Sequence, residues 1–164
     1  MVGVLELPSP LPADDLVWAA QAAVRAVADA PVAGDAAGQV LVLVGVRAAL
    51  EAAIAARLTV VEHSQAYAVD GSVTLTAWLD SQSRTGRTEA ARTVGLARRL
   101  DGYRLVAAAL TVGEITPGHA QVLGRQLDAL PEHLRTAQEP LFVAVARLTD
   151  RHAWTSSSAN APAP

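Results

Sequence analysis

Arginine is the one residue type whose spacing in this sequence suggests a site. All thirteen basic residues are arginine and none is lysine. Six of them, Arg84, Arg87, Arg92, Arg98, Arg99 and Arg104, fall within residues 84–104 against only Glu89 and Asp101. Such a local cationic excess is where a polyanion would meet the chain. At 100° per residue, Arg92 and Arg99 project about 20° apart from one side of a helix, with Arg98 flanking them and Ala90, Val94, Ala97 and Leu100 on the opposite side. Gly95 sits between these arginines, where it costs the helix roughly 1 kcal/mol relative to alanine. Close approach of a phosphate backbone would account for that glycine. The plainer reading is a solvated arginine face on a bundle helix, in a chain whose lack of lysine makes every cation an arginine. On the first reading Arg84, Arg87, Arg92, Arg98 and Arg99 contact nucleic-acid phosphate, DNA being the expected partner, with Arg104 and Arg125 as weaker candidates.

Other chemistry has little to work with. The absence of cysteine excludes disulfides, thiolate-bound zinc, iron–sulfur clusters and cysteine nucleophiles, and the absence of lysine excludes Schiff-base chemistry. His63, His119, His133 and His152 are far apart, and no two share a helix face at metal-ligand spacing. Glu114 could reach His119 across a turn, but an acid beside a histidine needs a nucleophile or metal to make a mechanism. No nucleophile elbow, glycine-rich phosphate loop or H-E-x-x-H is present. No catalytic residue, metal or cofactor is therefore expected, and the chain reads as a non-enzyme.

The elements that must position the arginines are helical. The chain has 164 residues, 51% of them apolar and 18% charged, enough for one domain with a substantial core. Alanine and leucine dominate, and glycine or proline recurs every ten to twenty-five residues, which predicts an all-α bundle of six to eight helices. A first helix opens at Ala13 or Asp14, carries Leu16, Ala19, Ala20, Ala23, Val24 and Val27 as one apolar stripe, and stops before Pro31. A long second helix covers about 35–66. Its segment VLVLVGV also suits a strand, but the strong helix former RAALEAAIAARL follows with no turn between them. Gly45, Ala48, Ala49, Ala52 and Ala56 form a small-residue face that lets another helix approach, either within a hairpin or across a homodimer through Gly45, Ala48, Ala52 and Ala56.

After the Asp70-Gly71 turn, Ser72 is the expected cap of a short helix with Leu75, Trp78 and Leu79 turned inward. The connection SRTGRT then leads to a helix over 88–100, so that the two helices are compatible with a helix-turn-helix. Another short helix follows over 103–110. Thr116 caps the next helix, with Pro117 at its first position, and that helix reaches Leu130. Pro131 and Pro140 each start a brief helix, the second carrying Leu141, Phe142, Val145 and Leu148. Trp18 reads as core or a packing edge, Trp78 as core, and Trp154 as closing the last helix. Residues 1–12 read as a flexible start, 13–153 as one helical domain, and 154–164 as a disordered tail.

The net charge of −3 is unevenly placed. Residues 1–80 hold three arginines against nine acids, and residues 81–164 hold ten against seven. No run of eighteen uncharged apolar residues occurs, and the acidic, proline-rich start is unlike a secretory signal, so a cytoplasmic protein without membrane contact is expected.

In order and wording, residues 36–150 resemble the actinobacterial domain of unknown function 222, or 13E12 repeat, family. The resemblance rests on Asp70-Gly71 before Ala77-Trp78-Leu79, on Leu96-Ala97-Arg98-Arg99-Leu100, and on Gly113-Glu114-Ile115-Thr116 before His119-Ala120. It implies an α-helical domain of the kind placed ahead of an HNH endonuclease. The cysteine-containing metal region of that nuclease has no counterpart here, so the resemblance carries over no nuclease residues.

Overall fold

The computed structural model describes residues 12–158, with side chains as far as Leu148. Residues 1–11 and 159–164, which include most of the expected flexible start and part of the expected tail, lie outside the described residues. Within them the chain is all-α. The helices are α1 (Ala13–Asp29), α2 (Ala36–His63), α3 (Leu75–Ser83), α4 (Arg87–Gly102), α5 (Arg104–Thr111), α6 (Pro117–Asp128) and α7 (Glu132–Ser158), with a single 3₁₀ turn at Ala66–Ala68. The strand alternative for VLVLVGV gives way to helix: those residues lie inside the 28-residue α2.

The chain divides into two compact units after Gly38. The first contains α1, which has Asp14 and Asp15 in its first turn and none of its residues buried. Its stripe of Leu16, Val24 and Val27 is exposed, and Trp18, read as core or a packing edge, is 68% exposed. Asp35 caps α2 by accepting a hydrogen bond from the Gly38 amide at 2.9 Å.

The second unit is built around α4. Ala90, Val94, Ala97 and Leu100 are buried along one side, as their spacing predicts, and Leu96 is buried as well. Around this helix are gathered Ala48, Ala52, Ala55 and Leu58 of α2, Leu75 of α3, Val106, Ala109 and Leu110 of α5, Leu123 and Leu127 of α6, and Val143 and Ala146 of α7. The small-residue face of α2 is therefore used within the chain. Ala48 and Ala52 are taken up by its own core and cannot at the same time form the middle of an intermolecular seam.

Local chemistry sets the helix ends. Thr116 accepts a hydrogen bond from the His119 amide at 3.2 Å, with Pro117 in the first helical position, as the sequence predicts. The cap of α3 is Thr74, which accepts from the Ala77 amide at 3.1 Å, and not Ser72. Trp78 is only partly buried and donates its indole N–H to Asp70 at 3.0 Å. Pro140 begins no helix of its own, because α7 runs through it and on to Ser158, past the expected start of the tail. A proline inside a helix forfeits one backbone hydrogen bond and costs about 3 kcal/mol. Burial of Glu139, Val143 and Ala146 around it supplies the compensation.

Candidate functional site

The five arginines expected to form one free cationic face divide into two groups. Arg92 is clamped by Glu89, with Nε donating to Oε2 at 3.0 Å and Nη2 to Oε1 at 2.6 Å, and lies 3.7 Å from Glu51 of α2. Arg98 reaches across to Glu62 of α2, donating from Nε at 2.9 Å and from Nη2 at 2.5 Å. Arg99 places Nε 3.6 Å from Asp128 of α6. The acidic first half of the chain thus supplies counter-charges for Arg92 and Arg98, and the premise of an unneutralised arginine face fails for Arg92, Arg98 and Arg99.

Hydrogen bonding to Arg98 holds the Glu62 carboxyl below its ordinary value, against the opposing effect of burial, and Arg92 does the same for Glu89. A carboxyl that titrates below its unfolded value near 4.5 stabilises the fold fully above that value. That contribution is lost as the pH falls through the lower folded-state value. Both pairs are largely exposed, so each contributes at most about 1 kcal/mol. Substituting Glu62→Gln is expected to flatten the fall in melting temperature between neutral and acid pH, measured by circular dichroism. An unchanged slope would show that the Glu62–Arg98 pair carries none of the acid sensitivity.

Arg99 folds back over Gly95, with Nη1 3.5 Å from its carbonyl, and an added Cβ at Gly95 would meet only that Nη1, at an ordinary 3.6 Å, so the packing does not require a glycine there. The tighter fit is at Gly124 on α6, where an added Cβ would come 2.5 Å from Arg99 Cδ and 3.2 Å from its Cβ and Cγ. The aliphatic stem of Arg99 lies across the bare backbone of α6, a packing role that no periodicity of α4 could reveal. Beside it an open cleft of about 600 Å³ is lined by Arg98, Arg99, Tyr103, Asp128 and Arg135 among others. Several of its groups are hydrogen-bonded within the chain, while Arg99 Nε is buried without a hydrogen bond. Tyr103 donates to Asp128 at 2.6 Å, and burial, reinforced by this bond, pushes the phenol up to about 12, while Arg135 donates to the carbonyls of Leu130 and Asp128. The network ties the junction of α4 and α5 to α6 and the start of α7.

Arg84 and Arg87 remain. Arg84 is the first residue of the three-residue connection between α3 and α4 and Arg87 the first residue of α4, and neither pairs with a carboxylate among the described residues. Arg84 closes α3 in a left-handed conformation with φ 56°, a position that glycine fills at lower cost. Gly86, with φ 87°, completes the turn. Of the histidines, His119 is partly buried with Nδ1 2.7 Å from Thr116 Oγ1, while Glu114 pairs with Arg147. His63 lies 3.4 Å from Asp101. Trp154 and His152 lie outside the described side chains.

The most conspicuous surface is one the sequence reading missed. Val40, Leu41, Val42, Leu43, Val44 and Val46 occupy every side of α2 over nearly two turns, and all are exposed, Val42 at 67%. On the face turned away from the core, Leu43, Leu50 and Ile54 continue the apolar surface at spacings of seven and four residues, all exposed. The signal available was the uninterrupted apolar run itself. A helix that is apolar all round has to be covered all round.

By length and composition α2 could cross a membrane. Its second half, however, is packed into the core through Ala48, Ala52, Ala55 and Leu58. The twelve residues ahead of Ala48 span about 18 Å, short of the roughly 30 Å of a bilayer core.

No family model, curated protein or solved structure matches the chain. The likeness to the 13E12 family therefore rests on its motifs alone.

Proposed function

We propose that the chain is a non-catalytic helical association module whose working surface is the exposed first half of α2, with a partner that presents an apolar helical face. The observation that carries this reading is the exposure of Val40–Val46 on all sides of one helix while the second half of the same helix is locked into the core. Contiguous apolar patches of several hundred Å² on soluble domains mark interaction sites. The core beneath gives the surface a rigid base. The experiment is binding of an apolar fluorescent probe to chain dilute enough to sediment as a monomer. Strong fluorescence that Val42→Glu removes is the expected result, whereas no probe binding would mean that the face is covered within the chain.

Nucleic-acid binding is retained as a second reading on a smaller set of residues. What favours it is Arg84, an arginine held in a left-handed turn position where glycine would be cheaper, exposed beside Arg87 at the start of α4. In a helix-turn-helix the start of the second helix meets the DNA. The family resemblance supports the same reading. Low-salt affinity for duplex DNA should fall at least about tenfold in an Arg84→Ala, Arg87→Ala double variant and stay within about twofold for Arg98→Ala, which is already paired. Equal losses, or no binding by the parent chain, would remove it.

A further inference from the structure

We infer that the cleft between α4, α6 and the start of α7 is a binding site for a small molecule that carries a carboxylate, held by Arg99 and Arg135 beside Asp128. The inference is independent of the α2 surface, and every residue it uses lies in the second compact unit. Three observations lead to it.

The first is a set of donors without acceptors. Arg99 Nε is buried without a hydrogen bond, and the nearest carboxylate oxygen, Oδ2 of Asp128, lies 3.6 Å away, too far to make one. Asp128 is already engaged, its Oδ1 accepting from Tyr103 at 2.6 Å. A buried donor left unpaired carries the full cost of its desolvation, and an oxygen brought in by a ligand removes that cost. Arg135 is anchored to the same residue through the main chain, with Nη2 donating to the Asp128 carbonyl at 3.0 Å and Nε to the Leu130 carbonyl at 3.0 Å. Those two bonds fix the guanidinium in place and leave Nη1 available. A planar guanidinium already held in position loses little freedom when a carboxylate docks on it.

The second is charge. Arg98, Arg99 and Arg135 line the cleft against Asp128 and Glu132. Glu62 balances Arg98 from α2, and Glu132 stands exposed without an ion pair among the described residues. Two guanidiniums therefore meet one carboxylate at Asp128, in a cleft close to neutral as a whole. That balance admits a singly charged carboxylate and disfavours a dianion such as phosphate.

The third is shape. Gly95 lies inside α4, where alanine is the better helix former, yet an added Cβ there would meet nothing closer than Arg99 Nη1 at 3.6 Å. Gly102, seven positions on and on the same face, would meet nothing within 4 Å. Both line the cleft. The packing of the chain gives no reason for these bare positions, and room for a ligand does. The cleft's volume of about 600 Å³ suits a small organic molecule.

Titration of the isotope-labelled chain with sodium benzoate, followed by NMR, tests the inference. Saturable shifts of the Arg99 Nε–H signal and of the Gly95 and Gly102 amides are expected, with a dissociation constant in the millimolar range usual for so small a ligand. Gly95→Leu, which fills the cleft with a good helix former, should weaken binding at least about tenfold without lowering the melting temperature. Arg135→Gln should weaken it at least about fivefold through loss of a charge-assisted hydrogen bond. Arg84→Gln, which removes an unpaired arginine outside the cleft, should leave it within about twofold. If one cleft variant loses its helical circular dichroism, the other decides. Absence of saturable shifts overturns the inference, as does binding that the cleft variants do not weaken. An equal loss in Arg84→Gln would reduce the effect to general attraction of anions and overturn it too. Inorganic phosphate that saturates the same signals at lower concentration than benzoate would overturn the carboxylate assignment.

Discussion

Replacing Glu139 with alanine is expected to destabilise the fold by about 2–3 kcal/mol, a large effect for one polar side chain. Glu139 is buried in α7, and its Oε1 accepts hydrogen bonds from the amides of Leu105 at 2.7 Å and Val106 at 3.1 Å. Those amides belong to the first turn of α5, a helix whose own preceding residue, Tyr103, provides no side-chain cap. A helix start carries unsatisfied N–H groups and the positive end of the helix dipole, and here both are met by a carboxylate from a helix more than thirty residues away in sequence. Alanine would leave two donors without their acceptor, the Val106 amide in the core and the Leu105 amide at its partly buried edge. Glutamine retains an acceptor oxygen and loses only the charge, so Glu139→Gln should cost about 1 kcal/mol. Urea unfolding of the three proteins gives the ordering, and equal midpoints for alanine and parent would show that the cap contributes nothing.

Truncating Leu110 to alanine should cost about 2–5 kcal/mol, the largest single-residue effect expected for this chain. Leu110 is fully buried at the end of α5, against a core that includes Leu96, Ile115 and Leu127. The same truncation at Leu141, 59% exposed on α7, should change stability by less than about 0.5 kcal/mol. The two leucines differ only in surroundings, so the comparison measures core burial directly. A shift in the urea midpoint at Leu110 with an unaltered slope is the expected signature. Equal effects at the two sites would contradict the placement of α5 in the core.

Where one turn of chain contains all the physics, the sequence was readable. Thr116 and Pro117 start α6 through a hydroxyl and a missing N–H that lie within three residues of each other. The buried side of α4 follows from the spacing of Ala90, Val94, Ala97 and Leu100, because a helix periodicity is itself local. What could not be read depends on which helices meet. The charge on Arg98 is matched by Glu62, thirty-six positions away, and Arg99 needs the bare backbone of Gly124 on α6. Pro140 looks like a helix start in any short window, and only the burial around it explains why α7 continues. For the candidate site the failure has a different origin. The run from Val40 to Val46 was legible as helix, and its small residues were legible as a close-packing face. Full burial begins only at Ala48, however, and this leaves the large side chains ahead of it exposed.

Hydrogen exchange of the α2 backbone, followed residue by residue with and without the apolar probe, tests the central claim that the first half of this helix is a surface open to a partner. Protection of the amides over residues 40–46 should rise when the probe is bound, while those at Ala55 and Leu58, already held by the core, stay constant. Protection over 40–46 that the probe leaves unchanged would show that this surface is not open to a partner, and would contradict the account.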